Sequence, residues 1–437
     1  MKKQLNFSAA VVITLVCGAA SAWSNHGLST YLALKDEDRV SKEPSIESES
    51  LIQFLEATKL KLPDLLGPLL QSAQNDHGAK LAANPSLNFD ANLSGEALKL
   101  SFLRTLRLST RAKYRNFLQD IPGADVSRSK KISITDVSLV ATVDLANHHF
   151  LDLRNNEKVS PLMALSSYVD EPDFGMDVGL FADSPNSPDG QTYGMGNLPF
   201  GNKDLEYGSQ APLHMAFHFE GVVINGLRPS LLQTYTLMRI NQFSALAKFA
   251  FAEGRSYWGY RFAAWALHYV QDLTQPYHST LAPGHSATSL VTGGLLDIIG
   301  NGSKANALLN ELTSLHTAVE DYQFNLLTRV LRKNLNDHPL ALALRRQRSE
   351  SAKGIAVTEV KLGVAKPSNQ QAKPTAASIK LLIPQVVFER GIDVGVNYTQ
   401  LIESNSSVQR APLDEILVKL MHQLGSSSRR FLTDVIP

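Results

Sequence analysis

The sequence predicts a mainly α-helical protein with a single helical core. Two observations predict this: apolar residues recur at three- and four-residue spacing over long stretches, and Glu253-Gly254 separates two such stretches as a turn between adjacent helices would. A third observation is one long irregular segment, 170–212, which is rich in Gly, Pro, Asp and Asn. Loops of that length are usually functional. The predicted helices are 48–60, 97–120, 230–253, 256–273, 304–333 and 413–424.

Composition narrows the class of protein. The 437 residues are enough for one large domain or two medium ones. Lys and Arg number 42 against 41 Asp and Glu, so there is no basic excess of the kind that nucleic-acid binding needs. The single cysteine, Cys17, lies in the N-terminal apolar run. If that run is removed, the mature chain contains no thiol and no disulfide.

The N-terminus has the pattern of a secretory signal peptide. Two lysines precede an apolar run over 9–20, and Ala20-Ser21-Ala22 forms an A-x-A cleavage site. The apolar run is too short for a transmembrane helix. We therefore expect residues 1–22 to be removed, with cleavage between Ala22 and Trp23, and the mature protein to be secreted or periplasmic.

Cleavage at this site would make Trp23 the new N-terminus, followed by Ser24, Asn25 and His26. A free α-amine has a reference pKa of about 7.7 to 8, so a nearby metal ion could deprotonate it. The amine and carbonyl of Trp23 could then chelate a metal ion, with the imidazole of His26 beside them.

The segment His268–His278 carries two imidazoles and a carboxylate, all zinc ligands, within a short distance. His268 and Asp272 are four residues apart, so on a helix they share one face. Pro276 should end or kink that helix and re-aim His278. One site that holds more than one metal ion is the simplest interpretation.

These pieces together resemble the secreted zinc-dependent bacterial phospholipases C and the related zinc-dependent single-strand nucleases. Members of that superfamily begin with a zinc-binding tryptophan and carry H-x-x-x-D-x-x-x-P-x-H, which matches 268–278 here. A further H-x-x-x-E/D pair follows in the family, and His316 and Glu320 supply it. The resemblance covers the signal junction and roughly residues 165–325. It does not cover 40–135 or the C-terminal third.

The resemblance also implies a bridging aspartate upstream of a first metal-binding histidine. Asp170 is one candidate, because Ser-Tyr-Val-Asp is similar to the Ser-Trp-Ala-Asp of the nucleases. Asp173 is the other and is slightly preferred, because a turn after a proline presents a carboxylate readily. The histidine is His214 or His218, with His214 preferred. Both stand about fifty residues before His268, as in the family.

By resemblance, the cofactor is zinc, as three ions. The implied ligand sets are His214, His268, Asp272 and the loop aspartate for the first ion; His278, His316, Glu320 and the same aspartate for the second; and Trp23, His26 and Asp272 for the third. Clustered zinc lowers the pKa of water toward about 7 and so provides a hydroxide for attack on phosphorus.

The function that this resemblance implies is a phospholipase C, which cleaves the phosphodiester bond of a phospholipid and releases a phosphocholine-type head group and diacylglycerol. The expected partners are a phospholipid substrate and a transient membrane surface, and the protein is expected to be monomeric. A single-strand nuclease with the same metals is the alternative, although it would need exposed aromatic side chains and usually disulfides. A non-catalytic zinc-containing binding module is a third class.

Domain organisation is predicted from composition. Residues 23–340 form the α-helical zinc hydrolase domain, with an insertion at about 40–135. Residues 345–377 have the polar composition of a flexible linker, and 378–437 form a C-terminal extension. Within the extension, Ile379–Val386 and Ile392–Tyr398 are short and β-branched, which favours a small β-rich element.

Overall fold

The computed structural model describes residues 23–75, 81, 83–124, 130–140, 148–201, 207–292, 303–346, 354–390 and 396–437. Residues 1–22, the predicted signal peptide, lie outside this set. The fold is mainly helical, as predicted. Its α-helices are α1 (His26–Leu34), α2 (Asp38–Ser41), α3 (Leu51–Thr58), α4 (Leu62–Asn75), α5 (Gly95–Thr105), α6 (Pro161–Tyr168), α7 (Ala211–His214), α8 (Val222–Leu227), α9 (Thr236–Ala252), α10 (Ser256–Asp272), α11 (Pro276–Ser279), α12 (Ala287–Thr292), α13 (Ser303–Arg332), α14 (Pro339–Arg345), α15 (Val357–Val360), α16 (Lys366–Leu382), α17 (Gln385–Arg390), α18 (Tyr398–Glu403) and α19 (Ser407–Val435).

Short strands lie in the N-terminal half. They are β1 (Ile46–Glu47), β2 (Phe117–Gln119), β3 (Lys131–Ile132), β4 (Phe150–Asp152) and β5 (Lys158–Val159). β1 pairs with β5, and β4 lies between β2 and β3, all antiparallel. These strands pack on the helical core; β2, for example, contacts α6.

Helix α10 lies at the centre of the core. Every residue from Tyr257 to Asp272 is buried, which is typical of a helix that has neighbours on all sides. Its aromatic side chains stack edge to face, as Trp258 and Phe262 do with Trp265. Helices α9, α6 and α19 pack against it, and its Gln271 makes hydrogen bonds to His26 and Thr30 of α1. The C-terminal end of α10, and with it the predicted metal motif, is therefore held from several directions.

Most predicted helices are present, and the prediction at 97–120 is wrong in its second half. α10 and α13 match their predicted ranges within one residue at either end. The helix at 97 ends at Thr105, because Arg107 adopts a left-handed φ of 57°. Its guanidinium is buried and donates to the carbonyl of Tyr193, so this arginine fixes a turn rather than extending a helical surface.

The prediction of a flexible linker and a β-rich C-terminal element is also wrong. Helix α15, a π-helical turn and α16 run without a break through 357–377 of the predicted linker, and Ile379–Leu382 belongs to the last turn of α16. Buried Ala372, Ala376 and Ile379 recur at helical spacing, so packing overrides the β-branched composition. Part of the second predicted strand, 392–395, lies outside the described residues, and Tyr398 begins α18.

The C-terminal residues belong to the core rather than to an appended extension. Helix α19 packs against α1, α10, α14 and α16, and its Ser428 lies next to α10, where Gln271 Nε2 donates to Ser428 Oγ at 3.0 Å. Of the helices that the structure describes, none is both long enough and apolar enough to span a membrane.

Candidate metal centre

The carboxylate of Asp272, the last residue of α10, has one oxygen toward His26 and the other toward His214 and His268. Its Oδ1 is 3.4 Å from His26 Nε2. Its Oδ2 is 2.9 Å from His214 Nδ1 and 3.4 Å from His268 Nε2. All four side chains are buried. One carboxylate with an oxygen toward each side has the geometry of a ligand that bridges two cations.

His26 is the first residue of α1, and its main chain is fixed before its ring is. The side chain of Asn25 caps the helix by accepting from Leu28 N. Asp170 accepts from the backbone N–H of His26 at 2.6 Å and of Gly27 at 2.9 Å. Gly27 is required here, because a Cβ would lie 2.5 Å from the carbonyl oxygen of Ser166.

The tautomer of His26 follows from its hydrogen-bond partner. Gln271 Nε2 donates to Thr30 Oγ1 and Ser428 Oγ, so Gln271 Oε1 is the acceptor that faces the ring. His26 Nδ1 lies 2.9 Å from this oxygen and must therefore carry the proton. The lone pair of Nε2 is left facing Asp272, with no hydrogen-bond partner in the described structure.

The two candidate loop aspartates have different surroundings. Besides its two backbone partners, Asp170 accepts from Gln119 Nε2 at 2.5 Å, so its oxygens hold the α1 terminus in place. Asp173 instead faces the histidines: its Oδ1 is 3.6 Å from both His214 Nδ1 and His268 Nε2 and has no hydrogen-bond donor among the described residues. The structure therefore places Asp173, not Asp170, beside the candidate ligands.

Of the two candidate histidines, His214 lies in the centre. Its Nε2 is 3.3 Å from Asp177 Oδ2, which leaves Nδ1 facing Asp272. Arg239 and Tyr269 in turn hold Asp177 by donating to its carboxylate. His218 does not join this group, and burial together with the charge of Lys361 lowers its pKa to about 4.

A further group lies beyond the proline. α10 ends at Asp272, before the proline, and Pro276 opens the short helix α11, which carries His278. His278 Nδ1 donates to the carbonyl of His214 at 3.0 Å, so its Nε2 lone pair is available. His316 Nε2 lies 2.6 Å from Glu320 Oε1, and these two side chains with His278 form a compact buried set.

Neighbouring side chains orient this further group. The ring of Tyr277 stacks on that of His316 with centroids 5.2 Å apart and 10° between planes. Gln275 Nε2 donates to Glu320 Oε1 at 3.1 Å. Trp23, at the start of the described chain, is fully buried against the 268–278 segment. Its indole N–H donates to Thr274 Oγ1 at 3.0 Å, so it lies beside the end of α10.

These residues fit a metal. Three sets offer ligand atoms within 4.8 Å of one another, and none of the three contains Lys or Arg: His26, Asp173 and His268; His214, His268 and Asp272; His278, His316 and Glu320. Buried polar atoms normally have hydrogen-bond partners. Here several of the atoms that point into the sets have none among the described residues, namely His26 Nε2, Asp173 Oδ1, Asp272 Oδ1 and His278 Nε2.

The electrostatics point the same way. Burial raises the pKa of Asp173 to about 8. Burial opposes protonation of His214, yet the charge of Asp272 and its hydrogen bonds raise the pKa of His214 to about 10. His268, beside the same carboxylate but also beside other imidazoles, has its pKa lowered by burial. Only protons balance the carboxylates here, and a metal ion would replace them.

Several residues that orient the candidate ligands were not singled out from the sequence. Asp177, Gln271 and Gln275 lie within the segments that contain the ligands, where a polar residue on a buried helix is a usable signal. Ser428 is more than 150 residues from Gln271 in the chain and gave no such signal.

Comparison of the chain with protein-family models, with curated proteins and with solved structures found no match. The interpretation of this centre therefore depends on its own residues, distances and unpartnered atoms.

Proposed function

We propose that this protein is a secreted zinc-dependent phospholipase C. The observation that carries the proposal is the carboxylate of Asp272, which has one oxygen toward His26 and the other toward His214 and His268. His278, in the further group, lies only six residues later in the sequence. Imidazole nitrogens and carboxylate oxygens, with no thiolate, are ligands that catalytic zinc sites use. The order of these residues in the chain is also that of the family which the sequence resembles.

Two of the proposed ligand sets follow the described groups: Asp173, His214, His268 and Asp272 would hold one ion, and His278, His316 and Glu320 a second. The third set, Trp23, His26 and Asp272, is taken from the resemblance, and of it the structure describes the approach of His26 Nε2 to Asp272 Oδ1 at 3.4 Å. Zinc bound there supplies positive charge for the phosphate oxygens and lowers the pKa of a coordinated water to about 7. Sharing of Asp173 with the second ion is an expectation from the resemblance.

The chain's own residues would orient the reactants. Asp173 Oδ1 has no hydrogen-bond donor among the described residues, so it is free to accept from the attacking water and to orient it toward phosphorus. Asp177 and Gln271 fix the ring orientations of His214 and His26. These contacts prepare the site before substrate binds, which is how most of the stabilisation in such sites arises.

A phospholipid substrate is favoured over single-stranded nucleic acid. Bases stack on exposed aromatic side chains in proteins that bind single strands. Here all three tryptophans are buried, and the exposed large apolar side chains that the structure describes are Leu and Val. The near-equal numbers of basic and acidic residues also give no general attraction for a polyanion.

The test uses the mature protein, starting at Trp23, with phosphatidylcholine micelles and, separately, single-stranded DNA. We expect release of phosphocholine, its loss with a chelator and its return with zinc. Nucleotide release from DNA with the lipid left intact would replace the phospholipase by a nuclease. Bound zinc without turnover of either substrate would replace it by a binding module.

A further inference from the structure

The loop between His214 and α9 carries a group of exposed apolar side chains, here called the apolar tip: Val222, Val223, Leu227 and Leu232. Their exposed fractions are 90%, 58%, 54% and 41%. The twelve exposed large apolar side chains of the described chain include these four within eleven residues. Single exposed apolar residues need no explanation, but a group of them does.

The loop that carries the tip is closed at its base. Tyr235 N donates to Pro212 O at 2.8 Å, and Thr236 Oγ1 donates to Met215 O at 3.2 Å. Ala216 N donates to the carbonyl of His278 at 2.8 Å. The base of the loop is thus bonded to the backbone around His214 and to that of His278, so the loop that carries the tip is fixed at its base to the backbone of two candidate ligands.

The exposure of these four side chains does not mean that the whole segment lies away from the core. Ile224 and Leu231, within the same segment, are 4% and 2% exposed and pack into the core. The first is on α8, and the second is in a 3₁₀ turn, Pro229–Leu232. The backbone is therefore anchored by two apolar side chains and presents the other four to the outside.

The charge around the tip is positive. Residues 221–235 include one arginine, Arg228, and neither Asp nor Glu. Glu220, just before them, turns its carboxylate back to accept from Leu281 N at 2.7 Å. Lys361 Nζ lies 6.0 Å from the ring centroid of Phe219, and its neighbour Leu362 is also exposed.

We propose that the apolar tip, with Lys361 and Leu362 beside it, binds the surface of a phospholipid bilayer that contains anionic lipid. Apolar side chains flanked by cations suit the boundary between head groups and acyl chains, where the apolar part is buried and the cations meet lipid phosphates. Binding there would hold the metal centre at the surface that supplies its substrate. The proposal names the partner of the proposed phospholipase and in that respect rests on it.

The test measures sedimentation of the mature protein with vesicles of phosphatidylcholine and a minor fraction of phosphatidylglycerol, with chelator present so that no lipid is hydrolysed. The variant is Val222→Glu with Val223→Glu. Both residues are exposed and open α8, where acidic side chains are compatible with the helix dipole, so the fold should be retained. We expect vesicle binding to fall by about tenfold or more.

The control is Val408→Glu, which makes one such substitution at an 81% exposed valine in the first turn of α19 and is compared with Val222→Glu alone as well as with the double variant. It should bind vesicles like the unmodified protein. Equal vesicle binding by the control and the double variant would overturn the proposal. A second result would also overturn it: the unmodified protein forms a dimer, and the tip variant is monomeric but binds vesicles as well as the unmodified protein does. In that case a second copy of the chain, not a bilayer, would cover the tip.

A second measurement separates this proposal from the phospholipase itself. Hydrolysis is compared on vesicles and on short-chain phosphatidylcholine below its micelle concentration, and the tip variant should lower the vesicle-to-monomer ratio by about tenfold. An unchanged ratio would contradict the docking role. Tip-dependent vesicle binding without hydrolysis of any phospholipid would support the docking surface and reject the phospholipase.

Discussion

Glu171 and Asp173 lie in the same 3₁₀ turn, and both are buried, but their partners differ. Glu171 accepts from Arg261 Nε at 2.8 Å and Nη2 at 2.5 Å, and from Trp265 Nε1 at 2.6 Å. Asp173 faces His214 and His268 at 3.6 Å, with its Oδ1 unpartnered in the described structure. One turn thus builds a completed ion pair and an incomplete one.

The difference lies in where the cation comes from. Helix α10 supplies both partners: Arg261 for Glu171 and, seven residues later, His268 for Asp173. A guanidinium is always charged and completes the pair by itself. An imidazole is a metal ligand as readily as a cation. Burial and charge alone therefore do not mark a functional carboxylate; a missing cation does.

The largest expected effect is that of Asp272→Asn, which removes the charge of the carboxylate that faces His26, His214 and His268. Metal-ion catalysis supplies several kcal/mol, so phospholipid hydrolysis should fall by at least about 10³-fold. Zinc content, measured by atomic absorption on protein dialysed at micromolar free zinc, should fall as well. Retention of full zinc content and activity by a folded Asp272→Asn protein would reject the bridging role.

A paired substitution tests the comparison directly. Glu171→Gln leaves Arg261 buried without its carboxylate, and the free energy of unfolding should fall by about 3 to 5 kcal/mol. Asp173→Asn makes the same change where burial already raises the pKa to about 8, so the metal-free protein should lose little or no stability. Urea unfolding with chelator present measures both.

For zinc binding, the order of the two variants should be reversed, with Asp173→Asn the more affected. Titration calorimetry should show weaker zinc binding by Asp173→Asn and unaltered binding by folded Glu171→Gln. If Glu171→Gln instead lost zinc while Asp173→Asn kept it, the assignment of the two carboxylates would be the wrong way round.

The sequence predicted the helices and ligands that local spacing specifies. His268, Asp272 and Pro276 lie in one short segment, so helical geometry and the proline place them with no knowledge of the fold. The choice between Asp170 and Asp173 could not be made in that way, because it depends on which one the backbone N–H of His26 reaches, 144 residues away in sequence. Ile379 was misassigned to a strand for a similar reason: its burial depends on long-range packing of α16.

Removal of metal should lower thermal stability by mass action. Zinc that binds only the folded state stabilises it by about 2.7 kcal/mol at a free concentration one hundred times Kd. The melting temperature should therefore fall on chelation, and Asp272→Asn should show a smaller drop. Glu171→Gln should show the same drop as the unmodified protein from a lower starting point, because its defect lies outside the candidate metal groups.

A smaller effect is expected for the two glutamines that orient ligands on different sides of the centre. Gln271 accepts from His26, and Gln275 donates to Glu320. Replacing either with Met should weaken zinc binding by about 10- to 100-fold, but at one ion each. Competition with a chelator should show distinct weakened sites in Gln271→Met and Gln275→Met. If both variants weakened zinc binding at the same site, His26 and Glu320 would belong to one metal group rather than two.

The smallest effect should be that of His218→Gln, which contrasts with His214→Gln one helical turn earlier in sequence. His214 lies between the carboxylates of Asp177 and Asp272, so one of its ring nitrogens faces the candidate metal ligands. Among the described residues no carboxylate pairs with His218, and burial with the charge of Lys361 lowers its pKa to about 4, so it is neutral near pH 7. A neutral amide in its place should change the free energy of unfolding by less than about 1 kcal/mol and leave zinc content unaltered. Loss of zinc from His218→Gln but not from His214→Gln would show that His218, and not His214, binds the metal beside Asp173.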